Sequence, residues 1–273
     1  SGDLWRAETY RSEFNQIATD RHFAYAEAWS HYLPGLIHFL RYELDETIAC
    51  LSISVEQRLV HHARAAVDSF TGLMLAYQAL GKSEKAEKTR QLLLDYVASL
   101  DDPVYTALAD ACQVRLALLQ GRPGPAIRWL ETSEPPAPEV MIWWLEIPCV
   151  TYCRALIAEG SKESLDKAEK QLRAYVQMNE AHHNICQLIQ ILPLLAIACE
   201  KQDMTEEALK ILERAVSLAH PGGFVFPFLE CGPPMAELLQ SLTALGEAGY
   251  FTQVVLDAFQ KRTGREKADS QLQ

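Results

Sequence analysis

The residues of this chain most able to do chemistry are Asp68, a tryptophan pair, two histidine pairs and a short row of carboxamides. Asp68 stands in an otherwise apolar helical stretch, where a carboxylate without a partner is costly. His183, Gln187 and Gln190 fall at i, i+4 and i+7, so a helix would turn them as one stripe toward a groove. Trp143 and Trp144 are adjacent, with Trp129 near by in sequence. One indole of such a pair must face away from its partner's core side. Exposed, it suits stacking on a sugar or another planar ligand; the alternative is that both bury against neighbouring helices.

The other constellations point away from catalysis. In His61-His62 and His182-His183 the two rings would project about 100° apart on a helix, so neither pair chelates one metal. Glu180 and His183 have i, i+3 spacing but no third ligand. Cys149 and Cys153 lie among Pro148, Val150 and Tyr152, which suits buried packing. The stretch from Ala76 to Ser83 fits a loose phosphate-loop pattern. A phosphate loop follows a β-strand, whereas here a helix precedes and Gly81 is a turn glycine. No serine-hydrolase elbow, His-Glu-x-x-His or paired-carboxylate motif occurs. No catalytic residue, cofactor or metal is expected.

Composition narrows the partners. With 25 basic and 36 acidic residues the net charge is −11, which repels a phosphate backbone, so no direct nucleic-acid contact is expected. No run of 18 apolar residues spans a membrane, and the start lacks the pattern of a secretory signal. The seven cysteines are odd in number and form no Cys-x-x-Cys. They read as reduced, buried side chains of a cytoplasmic protein.

The elements that must position these residues repeat. An apolar helix, a short polar turn and a second helix opening on a small residue recur five times, anchored at Thr47, Ala86, Ala126, Ala168 and Ala208 with spacings of 39, 40, 42 and 40. A single helix pair cannot bury its apolar face alone, so pairs stack. The fold class is all-α: a right-handed superhelical solenoid of antiparallel, TPR-like helix pairs with a period of about 40 residues. First helices are predicted at 22–41, 57–80, 103–120, 140–159 and 183–201, and second helices at 44–52, 83–99, 123–131, 163–179 and 205–219. A leading helix at 4–19 and capping helices at 234–246 and 248–262 complete a single repeat domain over 1–262, followed by a polar tail at 263–273. Residues 134–138 form a stiff proline connector, and the apolar loop 220–234 packs on the last pair. Pro34, Pro148 and Pro193 fall inside predicted first helices, freeing the carbonyls of Ser30, Trp144 and Ile189. Such kinks either shape a ligand groove or only set curvature.

Short segments in order along the chain carry a resemblance. They are Tyr42-Glu-Leu-Asp-Glu46, Ala65-Ala-Val-Asp-Ser69, Gly72 to Gly81, Ala117-Leu-Leu-Gln-Gly121, Trp144-Leu-Glu-Ile-Pro148 and Ala158-Glu-Gly-Ser161. They continue with His183-Asn184, Gln187-Leu-Ile189, Pro221-Gly-Gly-Phe-Val225, Pro227-Phe-Leu229 and Gly232-Pro-Pro-Met235. The chain resembles the repeat-containing sensor region of the large ATP-dependent LuxR-type transcription regulators, the group that includes the maltose regulator MalT. Phe226, where an Arg is expected, and Cys231 depart from that pattern. The resemblance implies a bacterial sensor segment that binds a small-molecule inducer or a regulatory protein. It would relay the signal to nucleotide-binding and DNA-binding domains that this chain lacks. Candidate ligand contacts are Asp68, Trp144, Glu146, His183, Gln187 and Gln190. Each serves equally well as a structural hydrogen bond between repeats. The competing function is a protein-interaction scaffold of TPR type. A sensor should show an enclosed pocket with convergent polar groups, a scaffold an open channel or apolar patch.

Overall fold

A computed structural model of the chain describes residues 24–138, 144–244 and 249–270. Among the described residues there are thirteen α-helices, one 3₁₀ turn and no strand. They pack as two compact units. The first comprises the described residues within Asp3–Leu116 together with Trp144–Glu146, and the second those within Ala117–Trp143 and Ile147–Gln273.

The first unit holds α1 (Ala24–Arg41), α2 (Leu44–Glu56), α3 (Ala63–Ala79), α4 (Ser83–Leu100) and most of α5 (Pro103–Leu119). Helix α1 packs on α2 and α3, and α3 packs on α4. The second unit contains α6 (Gly124–Thr132), α7 (Pro148–Glu159), α8 (Lys162–Ala181), α9 (Ile185–Glu200) and α10 (Thr205–Ala219). Helices α11 (Phe226–Leu229), α12 (Pro233–Ala244) and α13 (Tyr250–Ser270) close it. Consecutive helices pack as pairs, the arrangement of a TPR-like array.

Two features of the sequence close each pair. The anchors Thr47, Ala86, Ala126, Ala168 and Ala208 are all 0% exposed. Five residues before four of these anchors, Tyr42, Gly81, Gly121 and Asp203 adopt left-handed φ values of 67°, 76°, 70° and 60°. That reversal turns the next amide back onto the helix end. Glu43, Lys82 and Arg122 donate to the carbonyls of His38, Tyr77 and Ala117 at 2.9 Å, and Met204 donates to Cys199 at 3.0 Å. The fourth turn, three residues longer between Gly160 (φ 81°) and Ala168, uses Ser161 as N-cap, its side chain accepting from the Ser164 amide.

Pro34 and Pro193 lie inside α1 and α9 as predicted, but Pro148 does not lie inside a helix. It is the first residue of α7, so the predicted helix over 140–159 begins at Pro148 and Trp144–Ile147 are non-helical. The physical reason is local: proline suits a helix start and holds Ile147 extended at φ −128° and ψ 98°. In the predicted loop 220–234, α11 buries Phe226 and Phe228 beside Phe224 and packs on α9. The last helix runs to Ser270, past its predicted end at 262. The predicted leading helix at 4–19 lies outside the described residues.

A Cβ at Gly121 would meet nothing within 4 Å, so only its φ of 70° resists substitution. Gly121→Ala should therefore lower stability by about 1–2 kcal/mol, and Asp203→Gly, at an exposed position of the same kind, should raise it by up to about 1 kcal/mol. Thermal melts of both variants check this, opposite signs being the expected outcome.

Candidate functional site

Asp68 sits on α3, 0% exposed. A carboxylate there needs donors, and it has three. Tyr32 donates its hydroxyl to Oδ2 at 3.0 Å from α1. The backbone amides of Leu145 and Glu146 donate to Oδ2 at 2.8 Å and to Oδ1 at 3.1 Å. The non-helical residues Trp144–Glu146 are thereby pinned across α1, α3 and α5 as a strap.

Two arginines complete the grip. Arg115 Nη1 on α5 donates to the Leu145 carbonyl at 2.8 Å and to Glu146 Oε2 at 3.0 Å, the two side chains 3% and 0% exposed. Arg64 Nη2 donates to the Glu146 carbonyl at 2.6 Å, and its guanidinium lies 5.5 Å from the centre of the Trp144 ring. Two carboxylates thus face two guanidinium groups. Burial lifts the Asp68 carboxyl from 3.8 to about 6, and Arg64 together with the three hydrogen bonds restrains the rise. Burial also raises Tyr32 well above the usual phenol range.

Around the strap lies an aromatic nest. Trp144 stacks on His62 at 5.9 Å and lies 6.3 Å from Trp29, which meets the His61 ring edge-on at 5.0 Å. His61 Nδ1 accepts from the His62 amide at 2.9 Å, so Nε2 carries the ring proton. Burial lowers the His61 pKa to about 4, which keeps the ring neutral.

The remaining candidates lie in the second unit. Gln187 and Gln190, 2% and 7% exposed, sit three residues apart on α9. His183 does not extend their stripe. It occupies the turn before the α9 N-cap at a left-handed φ of 52° and is exposed, because α8 must reverse there. Two neighbours matter more. Asn179, 1% exposed on α8, donates Nδ2 to the Tyr175 carbonyl at 2.8 Å, and its Oδ1 has no hydrogen-bond partner. Asn184, 3% exposed, caps α9 by accepting the Gln187 amide at 3.3 Å, and its Nδ2 has no partner. The Asn184 amide donates to the Asn179 carbonyl at 2.8 Å, which joins the two asparagines through the backbone. Buried amide atoms without partners are uncommon in folded proteins.

Asp68, Trp144 and Glu146 are therefore brought together, and Gln187 and Gln190 form a separate carboxamide ledge with Asn179 and Asn184. Arg64, Arg115, Asn179 and Asn184 are not among the predicted site residues. Arg115 carried the same signal as Asp68, a charge in an apolar helix. Trp143 lies outside the described residues, and Trp129 packs edge-on against Tyr152 at 5.7 Å.

The sequence matches the family described as the MalT-like TPR region over residues 1–245. The chain belongs to that family. No curated protein matches significantly. Membership places this MalT-like TPR region among helical sensor and regulatory domains. Among its described residues no group of three or more His, Cys, Asp or Glu side chains is placed to hold a metal, and no helix is long and apolar enough to cross a membrane. Its cysteines are free thiols, and burial raises the thiol pKa of Cys112, Cys153 and Cys231, which leaves them poor nucleophiles.

The Asp68 environment fixes a sign. Its pKa is higher folded than unfolded, so the stability it contributes is full below about 4 and lost as pH rises through about 6. The melting-temperature difference between wild type and Asp68→Asn should grow in favour of wild type as pH falls from 7 to 4. A difference that is flat or shrinks over that range contradicts the assignment.

Proposed function

We propose that this MalT-like TPR region is the effector-sensing segment of a bacterial transcription regulator. It binds a small polar inducer and relays the signal to nucleotide-binding and DNA-binding domains of its parent protein. The relay works by differential affinity: an effector shifts the protein only as far as it prefers one conformation. The observation that supports this reading is the carboxamide ledge of α8 and α9. Asn179 Oδ1 and Asn184 Nδ2 offer an acceptor and a donor, buried and without partners, beside Gln187 and Gln190. Polar groups with bonding capacity to spare in an otherwise apolar wall are what a small-molecule site requires. His183, exposed at the turn, stands next in sequence to Asn184 at the edge of that ledge. In the first unit, Asp68, Trp144 and Glu146 already have partners in the chain, which makes them structural contacts in this reading.

A second reading, an interaction scaffold that binds a regulatory protein, is favoured by a different surface. Leu59 and Leu92, 82% and 46% exposed, border an open groove of about 280 Å³ floored by Phe70 and Tyr96. Exposed apolar area of this kind suits a protein partner.

A thermal-shift screen against oligosaccharides, nucleotides and amino acids separates the two. A ligand at 100 times its Kd adds about 2.7 kcal/mol of stability. The expected outcome is a shift in wild type that is lost in Asn179→Leu and Gln187→Leu, which remove the amide atoms while keeping bulk. A shift retained by both variants overturns the ledge. No shift with any of these compounds, together with a partner protein whose binding is abolished by Leu59→Asp and Leu92→Asp, favours the scaffold.

A further inference from the structure

The strap is gripped as a bound peptide is gripped. Four main-chain groups of two successive residues are met by side chains: Asp68 takes the amides of Leu145 and Glu146, Arg115 the carbonyl of Leu145, and Arg64 that of Glu146. Main-chain recognition supplies affinity for a non-helical segment whatever its sequence, and side-chain pockets then supply selection.

Three such pockets follow in order. The first is aromatic: Trp144 stacks on the His62 ring and lies 6.3 Å from Trp29, with the Arg64 guanidinium 5.5 Å from its ring centre. The second is aliphatic: Leu145, 2% exposed, fills the space that Gly72 leaves on α3. A Cβ at Gly72 would stand 3.0 Å from Leu145 Cδ1 and 2.6 Å from Leu51 Cδ1. The third is basic: Arg115 meets Glu146, which is 0% exposed. Pro148 starts α7 and disfavours helix in the residue before it, so the strap ends where that helix begins. The strap is thus no part of a helix pair. It occupies a cleft built by the pairs.

We propose that this cleft is a peptide-binding site filled by the chain's own strap, and that a partner protein carrying an aromatic–aliphatic–glutamate segment in non-helical conformation displaces it. The strap then acts as an intramolecular competitor. A tethered segment competes at an effective concentration on the order of millimolar, so only a partner exceeding that threshold gains entry. The proposal uses residues of the first unit and is independent of the carboxamide ledge, so either can fail without the other.

The probe is a fluorescein-labelled synthetic peptide copying residues 141–148, titrated by anisotropy against the full chain and its Glu146→Ala variant. That substitution weakens the strap while leaving Asp68, Arg64 and Arg115 in place. The peptide should bind the variant at least tenfold more tightly than wild type, and a peptide with Ala in place of the glutamate should lose at least tenfold on both. Wild type provides a second measurement that does not depend on the variant folding. In ¹⁵N-labelled chain, millimolar unlabelled peptide should accelerate hydrogen exchange at the Leu145 and Glu146 amides, and the Ala peptide should not. Equal binding of both peptides overturns the proposal. So does the absence of binding together with unchanged exchange of the strap amides at millimolar peptide.

Discussion

A carboxylate at zero exposure constrains everything near it. Asp68 has no access to solvent, so it must find donors within the protein, and Tyr32 supplies only one. The other two come from backbone amides 77 and 78 residues further along the chain. That requirement draws Trp144–Glu146 out of helix and into the first unit, and it brings a second buried acid, Glu146, which Arg115 must answer. Each charge is tolerable because of the others. Removing one partner of a buried pair typically costs about 3–5 kcal/mol, since it leaves a charge that neither water nor protein compensates.

The helix pairs make that arrangement possible. Packing of α1 against α3 sets Tyr32 beside Asp68, and the hydrogen bond from Thr71 to Cys112 at 3.0 Å joins α3 to the helix that carries Arg115. Gly72 leaves the depth that Leu145 fills. In the second unit the same logic yields a different result. The turn between α8 and α9 is closed by a left-handed His183 and by the Asn184 cap, and it leaves two asparagine side chains buried with bonding capacity unused.

The repeat was legible in the sequence because its physics is local. A small residue recurs at each anchor and a left-handed residue in each turn, five residues before the anchor in four turns and eight in the fourth, and all five anchors are fully buried. Asp68 was legible as a charge that needs a partner, but the partners were not, since backbone amides leave no trace in side-chain patterns. The predicted helix over 140–159 starts too early because apolar residues surround Glu146 on both sides; periodicity alone does not show that the amides of Leu145 and Glu146 are committed to a side chain on α3. The His183 stripe failed for a related reason: spacing at i and i+4 has meaning only inside a helix, and α9 begins at Ile185. Asn179 and Asn184 do not stand out as site residues in the sequence because asparagine near a helix end is ordinary.

The account depends on the strap being held by buried polar bonds and not by its apolar side chains alone. A double-mutant cycle between Arg115 and Glu146 measures this most directly, with Arg115→Met, Glu146→Leu and the double variant compared by chemical denaturation. The two single variants should each destabilise strongly, and the double variant should recover at least about 2 kcal/mol of their summed loss, the signature of a directly coupled buried pair. Additive losses, with a coupling within about 0.5 kcal/mol of zero, would contradict the central claim.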